Sequence, residues 1–263
     1  MALIRARPPK EGYSHIAGPE DSELSLVRFG LLRLSPGASF GLKWDGLEAV
    51  LVILGGRCDV EAGEDRWQGI GSRRDVFGGK PTAVYVAPGD AVTVIARADA
   101  EIAACAAPAQ RGAQTRLIAP EQVGVRRVGQ GTFQREIYDI AVAGSVDAER
   151  LLVGETYNPP GLWSSYPPHK HDIDAPPGES KLEELYHFRV NPPQGFGMQR
   201  IYGDGFDESY TVQDGDTVTI PRGFHPVAAA PGYQLYYLWI LAGEQRVMRP
   251  RDDGAHSWVA SQT

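Results

Sequence analysis

The chain is poor in cysteine, in basic clusters and in long apolar runs, and each shortage argues against a class of protein. Its two cysteines, Cys58 and Cys105, stand in hydrophobic surroundings and form no CxxC pair, so we interpret them as buried thiols in a reducing compartment. The formal net charge is −7 and no basic run occurs, which argues against nucleic acid as the main partner. No apolar run approaches the roughly 20 residues that span a bilayer. A soluble cytoplasmic protein without a membrane partner is expected.

Helical periodicity is also scarce, and short apolar runs bounded by Gly, Pro and Asp take its place. Hydrophobic residues make up 42% of the 263 residues, enough for a substantial core, and 31 glycines and 20 prolines are typical of a chain with many turns. Runs such as "TAVYVAPGDAVTVIA" alternate as half-buried strands do. The pattern predicts an all-β protein of the sandwich or barrel type.

The strand pattern occurs twice, which suggests two copies of one β-unit. Each half contains a strand that ends in Pro and Gly before the next strand begins, "VYVAPGDAVTV" in the first and "VTIPRGFHPVAAA" in the second. We place the first unit in residues 1–115 and the second, with its linker, in residues 116–263. The linker spans residues 116–140, and we expect its portion at 132–139 to extend a sheet of the second unit.

Two of the six histidines stand one residue apart in "SSYPPHKHD". In an extended chain His169 and His171 point to the same face, so both imidazoles can bind one divalent cation. Such a pair alone is more often surface polarity, but two features follow it. The strand "KLEELYHFRV" places Glu183 and Glu184 on opposite faces, and His225 follows a Pro-x-Gly bend. Three imidazoles and one carboxylate leave room for water or substrate on a metal ion.

This order of motifs, HxH, then Glu, then G(x)5PxG and His, resembles the two-part signature of the cupin superfamily. It departs in two places: the gap between HxH and Glu is wide, and PxGxH is one residue shorter than the usual PxGxxH. More narrowly, "SSYPPHKHD", "LEELYHFR", "GFGMQRIY", "IPRGFHPV" and "PGYQLYYLWILAG" are similar, in this order, to segments of the 5-deoxy-glucuronate isomerase family of myo-inositol catabolism. "RRDVFGGKPTAVYV" in the first half fits the same family. The resemblance covers most of the chain.

The resemblance implies a bicupin, in which two jelly-roll β-barrel units share one chain and only the second binds a metal ion. It implies His169, His171, Glu184 and His225 as ligands, and Glu184 is preferred to Glu183 because related isomerases have Glu, a hydrophobic residue and an aromatic residue there. Such a ligand set accepts Zn, Mn, Fe, Ni or Co, so the identity of the one divalent ion stays open.

The first unit lacks the residues for a second metal site. No histidine lies between His15 and His169, and Ser39 and Gly41 stand near the positions where an HxH pair would fall. Glu48 is interpreted as a relic of the ligand carboxylate. We therefore expect the first unit to be structural or to form a subunit interface, and we consider a homo-oligomer a reasonable expectation.

The implied reaction is the metal-dependent aldose–ketose isomerisation of 5-deoxy-D-glucuronate to 2-deoxy-5-keto-D-gluconate (5-dehydro-2-deoxy-D-gluconate). Either a proton leaves C2 and one arrives at C1, or a hydride shifts between the two carbons; the sequence does not choose. The alternatives are another uronate isomerase, an Fe(II) cupin dioxygenase and a non-enzymatic sugar-binding bicupin.

Further candidates come from the polar residues near the motifs. An acid–base group must serve C1 and C2, and a cation should recognise the substrate carboxylate. A carboxylate that follows the HxH pair is also typical of a turn cap, which is the more ordinary role. The catalytic candidates are Tyr186, Asp172, Glu208 and Arg200, and the substrate-binding candidates are Gln199, Arg200, Arg222 and Tyr186.

Overall fold

Strands make up almost all the regular structure of the computed structural model, which describes residues 2–261. Its three helices are short 3-10 turns at Pro120–Gln122, Gly131–Phe133 and Ser257–Ser261. No helix within residues 2–261 is long and apolar enough to cross a membrane. The all-β prediction is confirmed.

The strands fall into an early and a late series along the chain. The early series is β1 (Leu3–Ile4), β2 (Gly12–Ala17), β3 (Arg28–Leu34), β4 (Ser39–Lys43), β5 (Leu47–Gly55), β6 (Cys58–Ala62), β7 (Asp65–Ile70), β8 (Thr82–Val86), β9 (Ala91–Ala96), β10 (Ala100–Pro108) and β11 (Arg116–Ile118). The late series is β12 (Gly124–Val128), β13 (Arg135–Ala141), β14 (Leu151–Asn158), β15 (Trp163–Ser164), β16 (His169–Lys170), β17 (Glu183–Asn191), β18 (Gly197–Gly203), β19 (Phe206–Val212), β20 (Thr217–Ile220), β21 (Val227–Ala229), β22 (Gln234–Ala242) and β23 (Arg251–Asp252).

Each half of the molecule packs a large antiparallel sheet on a four-stranded one. In the N-terminal half the orders are β11-β8-β5-β10-β3-β2 and β4-β9-β6-β7. In the C-terminal half they are β1-β20-β17-β22-β14-β13-β12 and β15-β21-β18-β19. The two orders match strand for strand, with β12 as an addition, so the predicted repeat of one β-unit is visible in the connectivity. A separate pair, β16 with β23, joins the HxH segment to the C-terminal tail.

The sheets do not divide cleanly at residue 115. Strand β1 pairs with β20 in the C-terminal half, with Leu3 opposite Val218, while β11 pairs with β8 in the N-terminal half. The predicted linker at 116–140 is therefore shared between both large sheets. Strand β13 pairs with β14, which confirms that residues near 132–139 extend a sheet of the second half. The domain boundary itself stays a prediction.

The two large sheets face each other across an apolar cluster that joins the halves. This cluster contains Phe29, Val52 and Cys105 from one side and Leu185 and Leu238 from the other, all at most 1% exposed. Burial of such side chains contributes about 1.5–3 kcal/mol each relative to exposure, so the halves form one hydrophobic unit.

One ion pair is buried within this contact. Arg73 donates from Nη1 and Nη2 to the carboxylate of Glu155, at 3.0 and 2.6 Å, and both side chains are at most 2% exposed. Tyr236 also donates to this carboxylate, at 2.9 Å. A buried charge needs such partners, since removing one of them leaves the other without compensation.

Two glutamates at matching positions also hold the halves together. Glu48 accepts hydrogen bonds from the backbone N–H groups of residues 149–151, at 2.7–2.9 Å. Glu183 accepts them from residues 25–27, at 2.5–2.8 Å. Each carboxylate thus lies at the start of a central strand in its own half and binds the chain that enters the other half.

This correspondence corrects the interpretation of Glu48 as a relic of a metal ligand. Glu48 lies opposite Ala107 on β10, as Glu183 lies opposite Ala242 on β22. The residue that matches Glu184 is therefore Ala49. Glu48 lies on the sheet face that contacts the other half, whereas a ligand would have to point into its own half.

The positions proposed for a lost HxH pair also point outward. Ser39 and Gly41 on β4 are exposed, while Phe40 and Leu42 of the same strand pack on the interior of the N-terminal half. Because side chains alternate along a strand, a shift of one residue exchanges the inner and outer faces. Histidines at 39 and 41 would not face the interior.

Candidate metal centre

Three histidines and a glutamate converge on the inner side of the C-terminal half. His169 begins β16, His171 follows that strand, and His225 stands two residues before β21. The ligand nitrogens of these histidines all lie within 4.8 Å of one another. On β17, Glu184 Oε2 lies 3.1 Å from His171 Nε2 and 3.2 Å from His225 Nε2. The structure brings together the four residues that the sequence grouped.

Backbone carbonyls fix which ring nitrogens face the cluster. His171 Nδ1 lies 2.7 Å from the carbonyl oxygen of Leu182, and His225 Nδ1 lies 2.8 Å from that of Gly223. Since a carbonyl only accepts, each Nδ1 carries the hydrogen and donates it. A neutral ring then directs a bare Nε2 lone pair toward Glu184, which is itself an acceptor. Convergent lone pairs of this kind fit a divalent cation.

His225 shows this need for a cation most directly. Its side chain is fully buried, and Nε2 makes no hydrogen bond within residues 2–261, although Glu184 Oε2 is close. Buried polar atoms are nearly always satisfied in native proteins, so an orphaned nitrogen calls for a partner. A metal ion in front of Nε2 is such a partner.

The ionisation of the cluster also suits a metal. Burial raises the pKa of Glu184, but the hydrogen bond with His171 and the nearby imidazoles of His171 and His225 outweigh burial and lower it to about 2. Burial, helped by the neighbouring His225 and His171, lowers the pKa of His169 well below its usual value. Metal ions bind the carboxylate and the neutral imidazole, and these are the forms that both shifts favour.

His171 is the exception, and its proton is the one that a metal would replace. Burial lowers the pKa of His171, but the hydrogen bond and charge of Glu184 outweigh it and raise the pKa. Without a cation, a second proton on this ring bridges His171 and Glu184. A divalent cation bound between His171 and Glu184 takes the place of this proton and carries more charge, so metal binding is coupled to proton release.

A cavity of about 360 Å³ opens beside the cluster. On the side of the cluster it is lined by His169, Glu184 and Tyr186, and the indole of Trp239 and the ring of Tyr237 form an apolar wall. A larger cavity of about 570 Å³ lies between the two halves and contains none of the four cluster residues. The smaller cavity, with convergent polar groups, is the candidate substrate site.

Comparison with known proteins places the chain in a family. Residues 3–259 match the KduI/IolB family. The chain belongs to this family. The 5-deoxy-glucuronate isomerase of Geobacillus thermodenitrificans (strain NG80-2) is 42% identical over 255 residues, which are 96% of this chain and 93% of that relative. The crystal structure of an IolB-like protein from Salmonella typhimurium LT2 is 37% identical, with a TM-score of 0.94 over 98% of this chain and 99% of that chain.

A more distant structure defines the fold of this KduI/IolB family member. The oxalate decarboxylase of Lactobacillus farciminis is only 12% identical, but it matches with a TM-score of 0.70 over 100% of this chain and 91% of that one. Likeness at this identity shows the fold alone. Together with the repeated sheet order, it confirms the bicupin prediction.

Tyr186 is the predicted acid–base residue that lines the cavity of the family member. Its hydroxyl lies 3.1 Å from Ser165 Oγ, and its ring centroid lies 4.4 Å from that of Tyr237. Burial raises the pKa of Tyr186 well above its usual value, and the charge of Glu184 adds to the effect. The phenol therefore keeps its proton and can donate a hydrogen bond to a sugar oxygen.

Gln199 is fully buried, and neither atom of its amide has a hydrogen-bond partner within residues 2–261. It lies on β18 opposite Val227, on the inner face of the small sheet, where His225 is a diagonal neighbour. It is not among the cavity-lining residues. Its role in binding sugar oxygens stays a prediction. The unpaired amide supports it, because buried polar atoms usually have a hydrogen-bond partner.

Asp172 braces the cluster rather than facing the substrate. Its carboxylate accepts a hydrogen bond from the backbone N–H of Gly223 at 2.9 Å and forms an ion pair with Lys170. The first contact ties the HxH segment to the bend that precedes His225. Asp172 does not line the cavity, so the structure does not support its assignment as a catalytic acid or base, nor does the carboxylate cap the turn that follows.

The structure also places Arg200, Glu208 and Arg222 away from the cavity. The guanidinium of Arg200 is paired with Asp207, at 2.8 and 2.7 Å, on the outer face of the small sheet. Glu208 is exposed, and Arg222 lies over the ring of Phe206 at 5.0 Å. Arg200 alternates with the buried Gln199 and Ile201 along β18 and so points outward. Glu208 and Arg222 line a separate small cavity that contains none of the four cluster residues. Their assignment to catalysis and to substrate binding is not supported.

Sequence reasoning missed several residues of the cavity wall. Arg135 and Ile137 come from β13, and Ser165 precedes the HxH segment. Trp239 on β22 also forms part of the wall. The prediction that residues 132–139 extend this sheet was the available signal, because it placed β13 beside the ligand strands without showing which side chains face inward.

Proposed function

We propose that this KduI/IolB family member isomerises 5-deoxy-D-glucuronate to 2-deoxy-5-keto-D-gluconate, the aldose–ketose step of myo-inositol catabolism. The observation that carries the proposal is a buried cluster of three imidazoles and one carboxylate, whose lone pairs converge beside a cavity of about 360 Å³. The 42% identity to a relative named 5-deoxy-glucuronate isomerase supplies the substrate.

His169, His171, Glu184 and His225 would hold the one divalent metal ion. When bound, the ion supplies a Lewis acid that polarises the sugar carbonyl and stabilises negative charge on the oxygens of C1 and C2. The donor set accepts Zn, Mn, Fe, Ni or Co, so the metal is identified by analysis of the purified protein. Carbonyl contacts at both Nδ1 atoms pre-orient two of the rings, which lowers the cost of assembling the site.

The chain's own residues position the sugar and manage its protons. The reaction is internally balanced, because the hydrogen lost at C2 is matched by one gained at C1 and no co-reactant is consumed. Tyr186, which keeps its proton, donates to an oxygen of the reacting carbons. The rings of Tyr237 and Trp239 cover the cavity wall and exclude water, which strengthens the polar contacts inside.

The test combines metal analysis with a ketose assay on 5-deoxy-glucuronate under anaerobic conditions. We expect His171→Ala to lose both bound metal and activity, since it removes a ligand whose orientation is fixed by Leu182. The matched control is His256→Ala, which lies outside the cavity and should behave as wild type. Full activity of His171→Ala, or of a metal-free preparation, would overturn the proposal. Activity without oxygen would separate the isomerase from a dioxygenase.

Two accompanying expectations stay predictions. The chain is expected to act in the cytoplasm and to form a homo-oligomer. Cys58 and Cys105 are both free and buried, which supports the interpretation of buried thiols. Sedimentation of the purified protein would give the number of chains in the assembly.

A further inference from the structure

The substrate of the proposed reaction carries a carboxylate at C6, and the cavity contains a cation that forms no ion pair with any residue from 2 to 261. Two arginines, Arg126 and Arg135, line the cavity together with Asp139. Arg126 donates from Nε and Nη2 to both oxygens of Asp139, at 2.6 and 2.9 Å. The Nε and Nη2 donors of Arg126 are therefore already paired with a carboxylate and are not available to a ligand.

Arg135 is differently placed. Its Nη1 donates to the backbone carbonyls of Phe133 and Tyr166, at 3.1 and 3.0 Å. No carboxylate within residues 2–261 forms an ion pair with Arg135, and its Nε and Nη2 donate to no protein group there. The contact with Tyr166 ties the guanidinium to the segment that leads into His169, so its position relative to the metal cluster is fixed.

The free donors of Arg135 have the geometry that a carboxylate needs. Nε–H and an Nη2–H of a guanidinium are parallel and match the two oxygens of a carboxylate. Arg135 is half-buried at the start of β13, and burial lowers its pKa. A partly desolvated charge without a counter-ion is unfavourable, and an incoming anion would offset that cost.

We propose that Arg135 binds the C6 carboxylate of the sugar acid and thereby sets which end of the substrate faces the metal cluster. The proposal rests on the proposed function and deepens it. It assigns the cavity two poles: the histidines and Glu184 take the carbonyl end, and Arg135 takes the acid end. Selectivity for a uronate over a neutral aldose then depends on a residue that lies outside all the metal-ligand motifs.

The first experiment compares two substrates on three variants. The substrates are 5-deoxy-D-glucuronate and the same aldose with CH2OH in place of the carboxylate. For Arg135→Met we expect KM for the acid to rise about 10- to 100-fold, because a bidentate charge-assisted contact is lost, with a much smaller change for the neutral sugar. Arg135→Lys should recover part of the preference, since it keeps the charge and loses the fork.

The matched control is Arg200→Met, which removes an exposed arginine outside the cavity and should leave the preference for the acid unchanged. Metal content is measured for every variant. An equal loss on both substrates, or an unchanged preference in Arg135→Met, would show that Arg135 only supports the wall through Phe133 and Tyr166, and the proposal would be wrong.

A second experiment separates this proposal from the proposed function, because it needs no turnover. Calorimetric titration uses the acid with its C1 aldehyde reduced to an alcohol as the probe. At least about tenfold weaker binding to Arg135→Met than to wild type supports the carboxylate contact, even if wild type fails to make a ketose. Equal binding, or no binding to wild type, overturns it whatever the isomerase assay shows.

Discussion

In the N-terminal half, β5 points Ala49 and Leu51 into the interior between the two sheets; in the C-terminal half, the matching strand β17 points Glu184 and Tyr186 there. The neighbouring strands differ in the same way. Ile102 on β10 and Leu32 on β3 correspond to Tyr237 on β22 and Thr156 on β14. At these matching positions one interior has aliphatic side chains, and the other has groups that can hydrogen-bond or bind a cation.

This difference teaches that the backbone of the repeat does not decide whether a half can hold a metal. The strand order is the same, and the change lies in a few inward positions of matching register. Filling those positions with Ala, Leu and Ile gives a dry packed core, which stabilises the molecule. Placing polar groups there requires a ligand to satisfy them, and the unpartnered atoms of Gln199 and His225 show that requirement.

The largest effect should come from making β17 resemble β5. Glu184→Ala copies Ala49, and we expect the ketose-forming activity to fall by at least about a thousandfold, since the variant removes the anionic member of the donor set. Metal analysis after dialysis should show the ion lost. Glu208→Ala, exposed on β19, is the matched carboxylate control and should keep both. Retention of metal by Glu184→Ala would show that this carboxylate is not a ligand.

Next in size is the ion pair that joins the halves. Arg73→Met leaves the Glu155 carboxylate buried and without its cation, so we expect a loss of about 3–5 kcal/mol in the free energy of unfolding by urea. The double variant Arg73→Met with Glu155→Met should regain most of this, because no charge is left unpaired. A single variant as stable as wild type would mean that the pair contributes nothing to the contact between halves.

The smallest effect should come from Glu48, and it bears directly on the comparison. Glu48→Gln weakens three backbone contacts to residues 149–151, and we expect about 1–3 kcal/mol of lost stability. Metal content and KM should not change, because Glu48 matches Glu183 and faces the other half. A fall in bound metal would contradict the assignment of Glu48 to the contact between the halves alone.

The alternation of side chains along single strands and the spacing of motifs were enough to predict features that depend on one strand at a time. The pattern of "KLEELYHFRV" placed Glu183 and Glu184 on opposite faces of β17, and the structure shows them so, with Glu184 beside His171 and His225. The repeat of short strands also predicted the all-β fold. These inferences need only the local geometry of an extended chain.

The sequence predictions were wrong where the pairing register, or pairing between strands distant in sequence, determines which side chains reach the site. Arg200 and Glu208 were assigned to the site from proximity in sequence, but alternation along β18 turns Arg200 outward, and Glu208 is exposed beside a separate small cavity. Glu48 was matched to the wrong glutamate because a shift of one residue exchanges the two faces of a strand. Arg135 reaches the cavity through the pairing of β13 with β14, which no short motif encodes.

The pairing of β1 with β20 has a consequence for recombination between relatives. Residues 3–4 form the edge of the large C-terminal sheet and pair with β20, which ends at Ile220, directly before the bend that leads to His225. A crossover at residue 115 would combine β1 of one parent with β20 of the other. The sheet that supports the metal centre therefore depends on two segments that are far apart in the sequence. Chimeras should tolerate such a crossover only when residues 3–4 and 217–218 come from compatible parents.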